Sequence, residues 1–426
     1  MTDGRRGGRA SLGAVTDQDV RERRDDGSAE GRGPGALAVA VLVPVALATL
    51  FLIVAAVTAL APGTALLGTQ GSLVVVVVWG PLLVLLGVVV TAGAWLLRRR
   101  RLARSLTTGL VVLATLATLV LIGAVGAVVT ATLGAGGRVD PLRAVVLSGA
   151  PDARPDERPI YTTTPEGQDL RLSLLRPRPA APGPAPVFVW VHGGGWRTGS
   201  ELDRMPDLRR LADAGWLVVS VEYTLTGPGR PTWDVAGPQV ACALARVAEH
   251  AAEEGGDARR LVLGGDSAGG QLATTVGYRA AVGTQPSACA SPVPVPVPRA
   301  IATLYPALDL ADTFRHGRGA QEFAVGYTGG TPEQVPERYR AVTPGDALSS
   351  ASPPTLLVVP ARDRLVPPSG ADAFVGAART AGVPVERVDV PFADHAFDIG
   401  PDGSLGHQAA FSVLQRWAGD QVGPPG

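Results

Sequence analysis

Two glycine-rich stretches, one serine and a pair of late loops hold the side chains from which acyl-transfer chemistry could be assembled. In "RLVLGGDSAGGQLA" a strand-like run ends at Gly265. Ser267 follows in Gly265-Asp266-Ser267-Ala268-Gly269, and a helical pattern begins at once. A serine on a tight turn between strand and helix exposes its Oγ at the carboxyl edge of a sheet, and glycine two residues to either side lets neighbouring backbone pass. In a chain with 54 glycines the five-residue pattern alone is weak, and the strand–turn–helix context gives it weight. A second stretch, "VFVWVHGGGWRTGS", runs a buried-type strand into His192-Gly193-Gly194-Gly195-Trp196. Consecutive glycines cost backbone entropy, so this loop needs bare N–H groups that side chains would shield. Acyl transfer supplies the need: it puts negative charge on the former carbonyl oxygen, and each N–H aimed at that oxygen contributes roughly 3 kcal/mol. The N–H after the nucleophile, that of Ala268, is a further donor.

A serine requires a base, and the chain has five histidines. His192 belongs to the glycine stretch, His250 lies in a helical segment ahead of the serine, and His316 falls in an irregular segment ahead of the last strands. Where the nucleophile precedes the acid and the acid precedes the histidine, His395 and His407 remain. His395, in "PFADHAFD", directly follows the last strand, whereas His407 opens the final helix and is expected at the solvated surface. For the acid, Asp363 in "TLLVVPARDRLVPP" follows the penultimate strand, where a carboxylate can orient the imidazole and stabilise its cation. Asp309 in "LYPALDL" competes from one strand earlier. Asp394 and Asp398 are too near His395 in sequence to brace its ring easily.

Positioning these groups calls for a sheet. From about residue 159 short apolar runs alternate with helical periods, the pattern of a parallel α/β sheet. The runs 170–175, 187–191, 216–223, 260–265, 300–305, 355–360 and 385–390 read as strands. Helices are expected near 202–214, 237–254, 268–283, 369–382 and 405–419. The 286–298 segment reads as a polyproline-like surface spacer. Cys242 and Cys289 are too few for a disulfide framework or a zinc site and are either free or joined in one bridge.

Ahead of this catalytic segment, 159–426, the composition changes. Residues 1–35 are polar and read as a disordered tail. Three uncharged apolar runs follow, 36–61, 73–97 and 106–134, each longer than the roughly 20 residues that cross a bilayer. They read as transmembrane helices, with 135–158 as linker. A cleaved signal peptide fits poorly, because the first run is too long and Pro62 follows the candidate site. The tail carries seven arginines, the 62–72 loop none, and "RRRRLARS" at 98–105 five. Positive charge stays cytoplasmic, so the N-terminus is placed inside and everything after residue 134 outside. The chain balances 38 basic residues, all arginine, against 38 acidic ones, which gives no electrostatic argument for nucleic acid. No charged residue lies in the three runs, which disfavours an ion or proton path through them.

"HGGGW", "GDSAGG", "PARDRLVP" and "ADHAFD" together resemble the α/β-hydrolase esterases of the hormone-sensitive-lipase and bacterial carboxylesterase type, over roughly residues 160–420. The 328–344 segment also resembles the feruloyl-esterase and kynurenine-formamidase-like branch. The resemblance implies an α/β-hydrolase fold with a mostly parallel central sheet flanked by helices; the three transmembrane helices expected ahead of it lie outside the family's core pattern. It implies Ser267 as nucleophile, Asp363 as acid and His395 as base, with an oxyanion hole from Gly194, Gly195 and Ala268. His192, Gly193, Trp196, Gly265, Asp266 and Gly269 complete the motifs. Two positions depart from the family pattern: Thr224 in "SVEYTL" stands where an arginine is usual, and Pro360 where many relatives have glycine. No metal or organic cofactor is implied. The substrate would be a small-molecule or lipid ester met at the outer face of the membrane. An amidase or peptidase on the same fold, and an inactive hydrolase fold serving as a binding protein, are the alternatives. Trp196 is a candidate for shaping the pocket or for plain packing.

Overall fold

The computed structural model describes residues 36–61, 75–146, 153–180, 183–291 and 293–423. The 1–35 tail and the 62–72 connection, which enter the orientation argument, lie outside them.

The first helix, α1 (Ala36–Leu60), and the next two, α2 (Gly80–Arg99) and α3 (Arg104–Gly134), are each long and apolar enough to cross a membrane. The second run was expected from residue 73, but the helix begins at Gly80. Pro81 explains the offset: it has no N–H to donate and is tolerated only in a helix's first turn. Val75–Val78 instead form a buried turn. The short helix α4 (Pro141–Val146) lies in the expected linker.

Eight strands make one sheet: β1 (Ile160–Thr163), β2 (Asp169–Leu175), β3 (Ala185–Val191), β4 (Leu217–Val221), β5 (Gly256–Asp266), β6 (Ala300–Leu304), β7 (Thr355–Pro360) and β8 (Val385–Val390). Their order is β1-β2-β4-β3-β5-β6-β7-β8. β1 and β2 pair antiparallel, β2 joins β4 antiparallel, and all later pairings are parallel. The parallel strands are covered on both faces, which is why they read as continuous apolar runs: every residue of β3, β4, β6 and β7 is buried. β1 gave no such run, since only Tyr161 of its four residues is buried.

The covering helices are α5 (Met205–Asp213), α6 (Ala236–His250), α7 (Ser267–Ala281), α11 (Pro368–Thr380) and α12 (Leu405–Val422). Between β6 and β7 the chain forms three short helices, α8 (Leu310–His316), α9 (Gln321–Thr328) and α10 (Pro336–Val342), where an irregular stretch was expected. Each spans two turns or so, too little for a periodicity signal, and tertiary contacts hold them. One such contact is Tyr339 Oη donating to the Gly330 carbonyl at 3.0 Å. Cys242 of α6 is bonded to Cys289, tying the proline-rich segment to the fold. Thr224 has a local role: its N–H donates to Gln239 Oε1 at 2.8 Å, and Gln239 Nε2 returns a bond to its hydroxyl.

Candidate active site

The end of β5 and the start of α7 build the turn on which Ser267 sits. Asp266 is extended, whereas Ser267 has φ +51°, a left-handed conformation that a residue with a side chain holds only when its surroundings force it. Here the cause is close packing. A Cβ on Gly269 would lie 2.1 Å from the Val191 carbonyl oxygen, so the first turn of α7 presses directly on the end of β3. Gly265 is the penultimate residue of β5 and pairs with Val191.

His395 lies in the loop after β8 and Asp363 in the loop after β7, neighbouring parallel strands whose carboxyl ends share one sheet edge. His395 Nε2 is 2.9 Å from Ser267 Oγ, and its Nδ1 is 2.7 Å from Asp363 Oδ2. The other carboxylate oxygen, Oδ1, accepts the N–H groups of Leu365 and Val366 at 3.0 and 2.8 Å. Both side chains are buried. Burial works against the imidazolium, but the Asp363 carboxylate, with Asp266 and Asp394 further off, outweighs it and raises the His395 pKa above 6.5.

The motif acids beside the histidine hold the loop rather than the ring. Asp394 Oδ1 accepts the N–H of His395 at 2.8 Å and that of Arg364 at 2.9 Å, joining the two loops. Asp398 accepts from Tyr305 Oη at 2.7 Å and pairs with buried Arg204. Tyr305, which the sequence reading did not single out, meets the His395 ring edge-on at 4.8 Å between centroids. Its only signal was its place directly after β6.

The glycine stretch faces the serine from the end of β3. Gly194 has φ +101°, and a Cβ there would fall 2.1 Å from the Thr198 carbonyl oxygen, so no other residue fits. Among the described residues the N–H groups of Gly194 and Gly195 donate to no protein acceptor. Ala268, in the first turn of α7, has no intrahelical partner for its N–H. Gly193 is engaged otherwise: its N–H donates to Asp266 Oδ1 at 3.0 Å, locking the glycine loop to the serine turn. Asp266 is fully buried, and desolvation raises its pKa to about 6. His192 stacks on Tyr223 at 4.3 Å, and burial lowers its pKa, so it is a neutral packing group. Trp196 stacks on Tyr327 at 4.4 Å, donates to Gln271 Oε1 at 3.1 Å and also lines the cavity at Ser267.

A cavity of about 240 Å³ opens at Ser267, lined with Gly194, Gly195, His395 and the apolar side chains of Leu310, Phe323, Leu365, Val366 and Ile399. A larger one of about 420 Å³, between the β1–β2 edge and α6, holds none of the motif residues.

The alternatives fall elsewhere. Asp309 caps α8 by accepting the N–H of Asp312, and His316 pairs with Asp312. His407, expected in solvent, is instead buried against Asp207, Asp402 and Arg210, because α12 packs its first turn onto α5.

Residues 174–377 match the BD-FAE family model, a span that contains the serine and Asp363 and ends before His395. Esterase LipQ of Mycobacterium tuberculosis is 30% identical over 240 residues, covering 55% of this chain and 56% of that one. The ethyl acetate hydrolase of Pseudomonas putida is 29% identical over 259 residues, covering 56% of this chain and 74% of that enzyme. The chain thus spans little more than half the length of its mycobacterial relatives. Among solved structures, apo Thermogutta terrifontis esterase 2 superposes with a TM-score of 0.53 at 24% identity, covering 64% of this chain and 97% of that one.

Proposed function

We propose that this chain, which has the α/β-hydrolase fold, acts as an esterase of the kind its relatives represent and hydrolyses carboxylic esters through a serine-bound acyl intermediate. The observation that carries this reading is the continuous line from Asp363 through His395 to Ser267, with bonds of 2.7 and 2.9 Å. His395 Nε2 takes the proton of Ser267 Oγ as the oxygen attacks the ester carbonyl. The negative charge formed on the carbonyl oxygen is met by the N–H groups of Gly194, Gly195 and Ala268, which have no other partner among the described residues. Collapse breaks the bond to the alcohol oxygen, which leaves with the proton from His395. Water then attacks the acyl-enzyme, His395 takes its proton, and the acid departs as Ser267 Oγ recovers that proton. Asp363, bonded to Nδ1, holds the ring with Nε2 toward the serine throughout.

The catalytic unit, 159–426, is carried on the three-helix anchor outside the cytoplasmic membrane. Support comes from the arginine distribution and from the disulfide, which persists where the environment is oxidising.

The test is Ser267→Ala. Hydrolysis of a p-nitrophenyl ester series and labelling by a serine-reactive fluorophosphonate should both vanish, with the circular dichroism spectrum unchanged. Undiminished labelling would remove Ser267 as the nucleophile. A parallel p-nitroanilide series separates ester from amide cleavage.

A further inference from the structure

The loops that present His395 and Asp363 rest on the ends of the apolar helices. The Gly406 N–H, at the start of α12, donates to the Val77 carbonyl at 2.8 Å. The Val78 side chain lies 3.3 Å from where a Cβ on Gly400 would sit. Arg362, beside Asp363, donates to the Ala59 carbonyl in the last turn of α1. Asp402 pairs with Arg143 of α4 at 3.1 Å. Val75–Val78 share one hydrophobic cluster with Ala393, Phe397 and Leu405 from the histidine loop and α12. The catalytic edge of the sheet is therefore seated where α1 ends and α2 begins.

That level carries the marks of a bilayer surface. Trp79, 44% exposed, stands immediately before α2, the position at which tryptophan anchors spanning helices to the headgroup region. On α4, Leu142 and Val146 are one helical turn apart, and both point their apolar side chains into solvent. Ile399 is 56% exposed and is next in sequence to Gly400, which packs on Val78; it also lines the cavity at Ser267. One apolar surface thus runs from the helix ends to the mouth of the site. α3 gives the depth. Its Val125 packs against Gly80, so the nine residues from there to Gly134 rise about 14 Å beyond the start of α2 and run alongside the domain. Gly137, just past that helix, touches Ser412 and Val413 of α12.

The cavity, at about 240 Å³, is below the ~300–1,000 Å³ that encloses a drug-sized ligand. It holds the reacting ester and a short neighbouring group, and the rest of a larger substrate stays outside against Ile399 and the anchor.

We propose that the mouth of the site opens at the surface of the bilayer that anchors the chain, and that the substrate is an amphiphilic ester drawn from that same leaflet. The proposal rests on the esterase reading above and adds the physical source of the substrate. An anchor of this kind makes capture intramolecular, because enzyme and substrate share one two-dimensional phase at high effective concentration.

The full chain in lipid nanodiscs tests this with two fluorogenic esters. 4-Methylumbelliferyl palmitate is placed either in the discs that hold the protein or in protein-free discs mixed with empty-substrate protein discs, at equal totals. 4-Methylumbelliferyl acetate, free in solution, is the control in both mixtures. The expected result is faster palmitate hydrolysis in the shared disc, on the order of 10²-fold, with equal acetate rates. If acetate is cleaved while palmitate is cleaved equally in both arrangements, or in neither, the proposal is overturned and the esterase reading stands. If acetate and palmitate both remain intact, the esterase reading falls and the proposal falls with it.

Discussion

At the scale of single residues, Asp363 and Asp309 occupy comparable positions, each just after a parallel strand, and what separates them is the partner each finds. Asp363 divides its two oxygens between the backbone N–H groups of its own turn and Nδ1 of His395. Asp309 spends its carboxylate on a helix N-terminus. Asp363→Asn should therefore lower kcat by about 10⁴ with little change in KM, through loss of the correct tautomer. Asp309→Asn keeps an oxygen that can cap α8 and should cost roughly tenfold or less. Both are measured on one short-chain ester, and the reverse ranking would move the acid role to Asp309. The pH profile gives an independent reading. The neutral imidazole is the active form, and the buried carboxylate raises the His395 pKa above 6.5, so the acidic limb of kcat/KM should lie on the alkaline side of 6.5. The same shift makes the folded state favour the imidazolium. Its contribution to stability is complete below the unfolded-state value and is lost as pH rises through the folded one. A limb at or below 6.5 would contradict the charge arrangement around His395.

At the scale of elements, the junction of β3, β5 and α7 is tight enough for one methyl group to report on it. Gly269→Ala places a Cβ 2.1 Å from the Val191 carbonyl oxygen and 2.4 Å from that of His192. Backbone cannot move aside as a side chain end can, so the cost should reach or pass the roughly 1–3 kcal/mol of ordinary overpacking, with a matching loss of activity. Gly376→Ala, on the exposed face of α11 where a Cβ meets nothing within 4 Å, should raise stability by about 0.5–1 kcal/mol. Thermal melting of the two variants should shift in opposite directions. If Gly269→Ala melts as the native chain does, the strand and helix are not pressed together as described. The contrast also shows what was readable in advance. Ser267, the glycine loop and the two late loops are local strings whose chemistry depends on neighbours in sequence. The buried parallel strands announced themselves because both their faces are apolar. The short helices α8 to α10, the half-exposed strand β1 and the seat of His407 against α5 depend on contacts between distant segments, which no local pattern records. Tyr305 and Arg204 were missed for the same reason: their partner, Asp398, comes from another loop.

At the scale of the whole molecule, the arginine distribution, the seating of the hydrolase unit on the helix ends and the disulfide together bear on the proposed orientation in the membrane. The arginine-free 62–72 connection joins α1 to α2, and the arginine-rich 98–105 connection joins α2 to α3. The hydrolase unit touches Ala59, Val77 and Val78, which lie at the end of the bundle served by the arginine-free connection. The Cys242–Cys289 bond closes a loop of 47 residues, which in the chain-entropy account contributes about 4 kcal/mol, but only where the bond survives. All three support the proposed extracytoplasmic placement of the catalytic unit, and the disulfide supplies a readout that needs no protease. In cells expressing the chain, a membrane-permeant maleimide added before lysis should leave both cysteines unmodified unless a reductant is supplied first. Protease added to intact protoplasts should meanwhile release fragments of the 159–426 segment. Cleavage seen only in inverted vesicles, together with two freely alkylated thiols, would reverse the orientation. The seating of the catalytic loops on the helix ends would survive that result, because those contacts are set by the chain itself. Only the leaflet that they face would change.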